Sequence, residues 1–387
     1  MVRQVAAVIG TRPEAVKMAP VIETLRSDRE HFQVTVIATA QHREMLDQVL
    51  SLFDIKPDHD LDLMRPEQSL GEITTRGLRG LEEIIADRRP HLVLAEGDTT
   101  TVLCAALAAF YARTAFGHVE AGLRTRDKYR PYPEEMNRRL AATLADLHFA
   151  PTSSARDNLL AESVSPEGIF VTGNTVIDAL RWTNEQPGPT GDPTLNWIDS
   201  EGGRMVLVTA HRRENWGEPL CQICRAARDL VDRFADVRLV YASHRNPLVR
   251  EVAEAELGGV GRVRVIDPPD YRTFVSLMKR AYIILTDSGG IQEEAPSLGV
   301  PVLVLREVTE RPEAVAAGAV EVVGTAREAI FRGASRLLEN GSRHAEMSRA
   351  INPYGDGRAA ERIRKAILYH FGELERRPPD FGGDSDA

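Results

Sequence analysis

Two series of short apolar segments, separated by amphipathic helical patterns, constrain the fold of this 387-residue chain more than any other feature. The first series of predicted strands is Val5–Gly10, Val34–Ala40, His91–Gly97, Thr114–Glu120, Leu147–Ala150 and Ile169–Gly173. The second is Met205–Ala210, Arg238–His244, Val263–Pro268, Tyr282–Ser288, Pro301–Leu305 and Val320–Gly324. Near-continuous apolar strands that alternate with helices are typical of parallel sheets covered on both faces. The pattern therefore predicts an α/β fold with two doubly wound domains.

The length of the chain also favours two domains, because one hydrophobic core rarely grows to this size. The segment Thr183–Gly203 is rich in Pro and Gly and is the predicted interdomain region. We place the first domain at residues 1–178 and the second at residues 179–357. The tail, residues 373–387, is rich in Pro, Gly and Asp from Arg376 onward, and we expect it to be disordered.

The charge balance excludes some classes of partner. The chain has 48 basic and 57 acidic residues, which gives a formal net charge of −9. This charge argues against nucleic acid or an anionic membrane surface as a partner. No apolar run is as long as a membrane span, which needs about 20 residues. The chain is predicted to start with a strand rather than a signal peptide. We therefore expect a cytoplasmic protein, in which an anionic substrate is bound by a local cluster of Arg.

The segment Leu285–Gly299 suggests the kind of ligand. It is predicted to be a strand end, a turn at Ser288, Gly289 and Gly290, and a helix with Glu294 in its first turn. Backbone N–H groups at a helix start bind anions, and small residues allow close approach. A carboxylate beside such an anion site can accept hydrogen bonds from sugar hydroxyls, as a nucleotide sugar requires. An ordinary capped helix after a strand is the alternative interpretation of this segment.

Charged residues also follow other predicted strands. These segments are Gly10–Lys17, Glu96–Thr100, His118–Arg124, Thr209–Glu214 and Ser243–Pro247. Ligands of doubly wound domains bind at the carboxyl ends of the strands. Together the segments predict a ligand-binding cleft rich in Arg, His and carboxylates.

These segments resemble, in the same order, those of the non-hydrolysing UDP-N-acetylglucosamine 2-epimerases, from Gly10 to about Leu368. The matching stretches are G-T-R-P-E-A-V-K-M-A-P (10–20), T-A-Q-H-R-E-M-L-D-Q-V-L (39–50), G-D-T-T-T (97–101), G-H-V-E-A-G-L-R-T (117–125), P-E-E-M-N-R (133–138), T-G-N-T-V-I-D-A-L (172–180), T-A-H-R-R-E-N (209–215), T-D-S-G-G-I-Q-E-E-A-P-S-L-G (286–299), T-E-R-P-E-A (309–314) and N-P-Y-G-D-G (352–357). The resemblance implies the GT-B architecture, with two Rossmann-like domains, an interdomain active-site cleft and a last helix, about 358–372, that completes the first domain. It also implies a homodimer.

The family's reaction is inversion at carbon 2 of UDP-GlcNAc, which gives UDP-ManNAc. The proton on carbon 2 is not next to a carbonyl group, so its direct removal would create an unstabilised carbanion. Transient oxidation by a nicotinamide is not indicated, because Val8–Pro13 carries one Gly and no G-x-G-x-x-G. Elimination of UDP to 2-acetamidoglucal, followed by its re-addition, fits better. We therefore expect no cofactor and no metal.

The resemblance also assigns roles to individual residues. The expected catalytic residues are Asp98, Glu120, Glu134 and His211. The expected substrate-binding residues are Arg12, Lys17, Arg212, His244, Ser288, Gly289, Gly290, Glu294 and Arg311. The sequence does not decide whether Asp98 or Glu120 is the base. The alternative role of Glu134 is that of a carboxylate that balances a helix dipole. The alternative interpretation of Lys17 is that it is a solvated helical residue.

The chain departs from the family pattern at a second UDP-GlcNAc site, which serves many members as an activator site. Gln41 is retained there, but Glu44 and Glu67 replace a glutamine and an arginine. Two acidic side chains would repel a diphosphate, although Arg43 or Arg65 could compensate. The His that precedes Gly-Asp-Thr in the family pattern is replaced by Glu96 in this chain. These changes predict altered regulation rather than altered chemistry.

Two other functions use the same fold. A GT-B glycosyltransferase also binds a UDP-sugar, but it needs an acceptor groove. An inactive UDP-sugar sensor would not need the four expected catalytic residues. The sequence does not distinguish envelope-polysaccharide from antibiotic amino-sugar pathways.

Overall fold

The computed structural model describes residues 1–39, 43–65, 68–244 and 246–382, apart from the side chains of residues 43–45. The chain forms two compact units. Unit 1 comprises Met1–Arg181 and Tyr354–Ala387, and unit 2 comprises Trp182–Pro353. Each unit contains one parallel sheet flanked by helices, which confirms the predicted α/β class with two doubly wound sheets. No helix in the described ranges has the length and apolar character that a membrane span requires.

The sheet of unit 1 has seven parallel strands in the order β3-β2-β1-β4-β5-β6-β7. The strands are β1 (Arg3–Ile9), β2 (Phe32–Ala38), β3 (His59–Asp60), β4 (Leu92–Glu96), β5 (Ala115–Val119), β6 (Leu147–Ala150) and β7 (Ile169–Val171). Six of the seven lie where the apolar segments predicted them. The two-residue strand β3 was not predicted, because an edge strand of two polar residues has no apolar pattern.

The helices that begin in unit 1 are α1 (Arg12–Ser27), α2 (Arg43–Leu52), α3 (Leu70–Arg88), α4 (Thr100–Tyr111), α5 (Glu134–Leu144), α6 (Ser153–Ala161), α7 (Thr175–Glu185) and α16 (Ala359–His370). A capping box formed by Thr11 and Glu14 starts α1 immediately after β1. The buried face of α4 consists largely of alanine, which lets α3 and α5 pack closely against it. The start of α16 is held by Asp178, which accepts hydrogen bonds from the backbone N–H groups of Ala359 and Ala360.

The sheet of unit 2 has six parallel strands in the order β10-β9-β8-β11-β12-β13. The strands are β8 (Arg204–Thr209), β9 (Val237–Ala242), β10 (Val263–Ile266), β11 (Ala281–Thr286), β12 (Val302–Val304) and β13 (Val320–Val322). The helices are α8 (Pro193–Glu201), α9 (Glu218–Arg233), α10 (Pro247–Leu257), α11 (Tyr271–Arg280), α12 (Gly289–Glu294), α13 (Pro312–Ala316), α14 (Arg327–Glu339) and α15 (Gly341–Ser348).

Strand order reverses once in each sheet. In unit 1 the chain winds outward from β1 to β3 and then returns to place β4 on the other side of β1. In unit 2 it winds from β8 to β10 and returns to place β11 beside β8. Ligands of such sheets bind at the carboxyl ends of the strands on either side of this reversal. The loops after β1 and β4, and after β8 and β11, are therefore the positions from which a site is built in each unit.

The predicted interdomain segment also contains regular structure. The predicted interdomain segment Thr183–Gly203 contains helix α8, which Asp192 caps by accepting hydrogen bonds from the N–H groups of Thr194 and Leu195. A Pro-rich start suits a helix when Pro occupies its first turn, as Pro193 does here.

The expected disorder of residues 373–387 is wrong for residues 373–382. The Phe381 N–H donates to the Val171 carbonyl at 2.7 Å, and the Asp380 carboxylate accepts from the Val171 N–H at 2.9 Å. The tail thus satisfies backbone groups of the edge strand β7, which composition alone could not reveal. Residues 383–387 lie outside the described residues.

Candidate active site

Close packing at Gly10, just before α1, brings the end of β1 against the start of α4. The hydroxyl groups of Thr39 and Thr101 hydrogen-bond at 2.9 Å beside Gly10. A Cβ atom on Gly10 would lie 2.3 Å from the Thr101 hydroxyl oxygen, so no larger residue fits without moving this pair. The absent side chain is what allows α1 to present its residues to the ends of β4 and β5.

Glu120 directly follows β5 and is buried, with 5% of its surface exposed. Its φ angle is +60°, a left-handed conformation that is uncommon for a residue with a side chain and that concentrates at functional sites. The Lys17 ammonium lies 2.5 Å from Glu120 Oε2 and 3.0 Å from Glu96 Oε1. The predicted site residues Lys17 and Glu120 are therefore brought together, with Glu96 as a third member.

This placement changes the interpretation of Lys17. Its side chain is 18% exposed and binds two buried carboxyl groups, so it is not a solvated helical residue. The expected role in neutralising a diphosphate is also not what this geometry favours, because the buried Glu120 carboxylate already balances the ammonium charge.

Asp98 is held by Arg138, which the sequence analysis did not assign. An Arg138 Nη2–H donates to Asp98 Oδ2 at 2.6 Å, and Nη1 donates to the Glu120 carbonyl oxygen at 2.5 Å. The Asn137 side chain donates to the Asp98 carbonyl oxygen at 3.0 Å. His118 is fully buried and its Nε2 lies 2.7 Å from the Gly97 carbonyl oxygen. These contacts fix the loop that carries Asp98 beside Glu120.

Glu134 is the first residue of α5, and Arg138 lies four residues later. Residues at this spacing share one face of a helix. The face of α5 that carries the Asp98 partner therefore also carries Glu134, while the neighbouring Glu135 accepts from the backbone N–H groups of Thr125 and Arg126. Helical spacing from Glu134 is the sequence signal that could have identified Arg138.

Burial and charge set the protonation of the carboxyl groups in opposite directions. Burial by itself raises the pKa of Glu120, but the Lys17 ammonium, a hydrogen bond from Glu96 and the Arg138 guanidinium together lower that pKa well below its usual range. Burial raises the pKa of Glu96 well above its usual value, against the opposing effect of Lys17. Burial also raises the pKa of Glu14 to about 7, although Thr99 and two backbone N–H groups hydrogen-bond it. Unit 1 therefore combines charged and proton-bearing carboxyl groups in one place.

In unit 2, the fully buried Asp287 organises the loop after β8. Its carboxylate accepts hydrogen bonds from the backbone N–H groups of His211 and Arg212, both at 2.8 Å, and from the Asn215 side chain at 3.0 Å. Asp287 Oδ1 also lies 3.4 Å from His211 Nδ1. Asp287 precedes Ser288 in the T-D-S-G-G segment, which was the signal that could have identified it.

The imidazole of His211 is 38% exposed and stacks on His244, with ring centroids 5.8 Å apart and an interplanar angle of 11°. Burial lowers the pKa of His211, the Asp287 carboxylate opposes this, and the charge of Arg212 adds to the lowering. The two predicted histidines thus lie together, and a neutral His211 is favoured.

Two guanidinium groups face the start of α12. A Cβ atom on Gly289 would lie 3.7 Å from Arg311 Nη2 and 3.9 Å from Arg212 Nη2. Arg212 Nε is buried and has no hydrogen-bond partner among the described residues. The first N–H groups of a helix have no intrahelical acceptor. The start of α12 and the two Arg side chains therefore form a candidate anion site, and the predicted residues Gly289, Gly290, Arg212 and Arg311 meet there.

Three details differ from the sequence expectation for this segment. The helix begins directly at Gly289, so Glu293 and Glu294 are its last two residues and not part of its first turn. The Ser288 N–H donates to the Thr286 hydroxyl group at 3.0 Å and is not free for an anion. Glu293 pairs with Arg311, which orients that guanidinium.

Glu294 lies next to the anion site. Its Oε2 accepts a hydrogen bond from the Tyr271 hydroxyl group at 2.8 Å, and its Oε1 is 3.6 Å from the Cβ position of Gly290. This location suits a carboxylate that binds the hydroxyl groups of a ligand whose phosphate occupies the anion site. No local pattern in the sequence links Tyr271 to Glu294.

Arg12 is the first residue of α1 and is half-buried. Several of the residues expected at the activator site lie outside the described residues. Gln41 and Glu67 lie outside the described residues, as do the side chains of Arg43 and Glu44 at the start of α2.

Comparisons with known proteins identify the family of this chain. The family model described as UDP-N-acetylglucosamine 2-epimerase matches residues 24–368. The chain is 53% identical to the UDP-N-acetylglucosamine 2-epimerase of Escherichia coli K12, over 94% of this chain and 98% of that one. It is 50% identical to the enzyme of the same name from Bacillus subtilis, over 98% and 99%. The crystal structure of UDP-GlcNAc 2-epimerase from Neisseria meningitidis bound to UDP-GlcNAc has a TM-score of 0.87 at 48% identity, over 95% and 100%. The chain therefore belongs to the UDP-N-acetylglucosamine 2-epimerase family.

Proposed function

We propose that this protein is an epimerase that interconverts UDP-GlcNAc and UDP-ManNAc by inverting carbon 2. The observation that carries the proposal is the group of acid–base residues in unit 1, where Glu120 is held by Lys17 and Asp98 by Arg138. Relatives of this chain at about 50% identity bear the name UDP-N-acetylglucosamine 2-epimerase. The related structure from Neisseria meningitidis has UDP-GlcNAc bound.

Unit 2 binds the UDP moiety in this proposal. Arg212, Arg311 and the start of α12 bind the diphosphate, because charge-assisted hydrogen bonds from guanidinium groups suit phosphate oxygens. Glu294 accepts hydrogen bonds from the ribose hydroxyl groups. His211 and His244 lie beside the Arg212 loop and contact the same ligand. Arg12, at the start of α1, supplies further positive charge to the diphosphate.

Unit 1 performs the proton transfers at carbon 2. In the elimination, the carbon 2–hydrogen bond and the bond from carbon 1 to the UDP oxygen break, and a double bond forms between carbons 1 and 2. UDP then returns to carbon 1, and carbon 2 receives a proton on the opposite face. Asp98 and Glu120 supply the acceptor and the donor, and Glu134 orients the sugar. Positioned acid–base groups of this kind contribute about 10²–10⁴-fold to a rate.

Incubation with UDP-GlcNAc in deuterated water, followed by proton NMR, tests the proposed function. UDP-ManNAc should appear without an acceptor, nicotinamide or metal, and deuterium should replace the proton at carbon 2. A slow leak of free UDP and 2-acetamidoglucal is also expected. Transfer of the sugar only when an acceptor is added would indicate a glycosyltransferase, and binding of UDP-GlcNAc without any product would indicate a sensor.

Replacing Arg212 with Ala should raise the Kd for UDP by about 10–100-fold, because a hydrogen bond to a charged group contributes about 1.5–3 kcal/mol. Isothermal titration calorimetry with UDP measures the effect. Arg213→Ala is the matched control, since this neighbouring Arg is exposed. Equal affinity of Arg212→Ala and wild type would remove Arg212 from the diphosphate site.

We also propose that UDP-GlcNAc does not strongly activate the enzyme. Glu44 and Glu67 replace a neutral and a cationic residue, which makes a second diphosphate site less favourable. Arg65, which could compensate, lies 3.2 Å from the Asp62 carboxylate. Epimerisation of UDP-ManNAc alone should therefore start without a lag and follow hyperbolic kinetics. A lag that traces of UDP-GlcNAc remove would contradict this expectation.

The resemblance further supports a cytoplasmic homodimer. Light scattering on the purified protein measures its mass, and a monomer at assay concentration would contradict the dimer.

A further inference from the structure

Glu96 and Glu120 form a pair of buried carboxyl groups that share one cation. The Lys17 ammonium lies 3.0 Å from Glu96 Oε1 and 2.5 Å from Glu120 Oε2, so the two carboxyl groups lie side by side. The side chains of Glu96 and Glu120 are 2% and 4% exposed. Two buried carboxyl groups that lie side by side can hydrogen-bond to each other only if one of them carries a proton, because ionised carboxylates only accept.

Other charges around the pair do not remove this requirement. The ionisable groups that face it are Glu14 and Lys17 on α1, Asp98 after β4, and Arg138 on α5. With Glu96 and Glu120, these make four carboxyl groups against two cations. Burial raises the pKa of Glu14 to about 7, which favours a proton on that group. Three carboxylates would then still face two cations, and a buried carboxylate pair with such an excess of negative charge retains a proton on one member.

We propose that Glu96 carries a proton and donates a hydrogen bond to the Glu120 carboxylate. Glu96 is then a positioning residue that keeps Glu120 charged and oriented. The role rests on the proposed function, in which Glu120 transfers a proton at carbon 2. The assignment of the proton follows the contacts, because Glu120 has the shorter ion pair with Lys17 and its backbone carbonyl also accepts from Arg138. The opposite directions of the two pKa shifts agree with it.

Glu96 thereby affects the reaction without touching the substrate. In its protonated form it donates one hydrogen bond and leaves Lys17 to neutralise Glu120. When Glu96 loses its proton at alkaline pH, one ammonium must serve two anions and the hydrogen bond between the carboxyl groups is lost. The kcat of the wild-type enzyme should therefore fall above the pKa of Glu96.

Two substitutions separate this role from a purely structural one. Glu96→Ala removes the hydrogen bond to a charged group and should lower kcat by about 10–100-fold, with KM for UDP-GlcNAc changed less than about threefold. Glu96→Gln keeps a neutral donor of the same size and should restore kcat to within about threefold of wild type. Because Gln does not titrate, the alkaline fall of kcat should be absent in Glu96→Gln. A Glu96→Gln enzyme as slow as Glu120→Gln, or one that keeps the wild-type pH profile, would overturn the proposal.

Infrared spectroscopy tests the location of the proton independently of activity. The difference spectrum of wild type minus Glu96→Gln at pH 7 should show one protonated carboxyl band, and Glu14 cancels because both proteins contain it. A carboxylate band instead would show that Glu96 is ionised and would overturn the proposal even if the enzyme epimerises UDP-GlcNAc. A protonated carboxyl band in a protein without epimerase activity would show that Glu96 carries the proton. The proposed function would then be wrong, and so would the positioning role that rests on it.

Discussion

Substituting Gln for Glu120 is expected to lower kcat by about 10²–10⁴-fold, the usual contribution of a general acid–base group. The amide has nearly the same size as the carboxylate, so it can occupy the same space beside Lys17 in the left-handed backbone conformation. It can neither accept nor return the proton of carbon 2. Because the residues assigned to UDP, apart from Arg12, lie in unit 2, the Kd for UDP should change by less than about threefold.

Initial rates of UDP-GlcNAc epimerisation and of deuterium incorporation at carbon 2 measure this effect. Glu83→Gln is a suitable control, because Glu83 lies on the exposed surface of α3 and the same chemical change there should leave both rates unaltered. Circular dichroism establishes that both variants fold. Near-normal turnover of Glu120→Gln would show that Glu120 is not an acid–base residue.

A loss of about 10²–10⁴-fold in kcat is likewise expected for Asp98→Asn. The amide oxygen of the new side chain can still accept from Arg138, which lies 2.6 Å from Asp98 Oδ2, so the loop after β4 should keep its conformation. The negative charge and the ability to exchange a proton are lost. Deuterium exchange at carbon 2 should fall in parallel with kcat, because both pass through the same elimination.

The relation between kcat and KM distinguishes catalysis from binding in this variant. A higher KM for UDP-GlcNAc at unchanged kcat would assign Asp98 to substrate binding. Asp157→Asn is the control, since Asp157 is exposed on α6 and its change should affect neither constant.

Local sequence patterns were sufficient for most of the fold. Apolar runs such as Met205–Ala210 and Pro301–Leu305 predicted β8 and β12, because a strand covered on both faces must be apolar throughout. The same reasoning missed β3, which has two residues, and helix α8 within the predicted interdomain segment Thr183–Gly203. Composition also failed for residues 373–382, since Asp380 and Phe381 hydrogen-bond to a strand that lies far away in the sequence.

The sequence by itself determined that carboxylates, Arg and His follow the strands of two α/β units, because strand ends are readable from the local pattern of apolar residues. Only the tertiary structure decided which of them meet. Lys17 and Glu120 are 103 residues apart, and they form an ion pair because β4 and β5 add to the sheet on the side of β1 away from β2. Strand order depends on non-local pairing, which no local pattern encodes. The burial that makes Glu96 retain a proton beside Glu120 follows from that order, because β4 and β5 lie inside the sheet. On strands at the edge of the sheet, the same residue types would have remained separate, solvated charges.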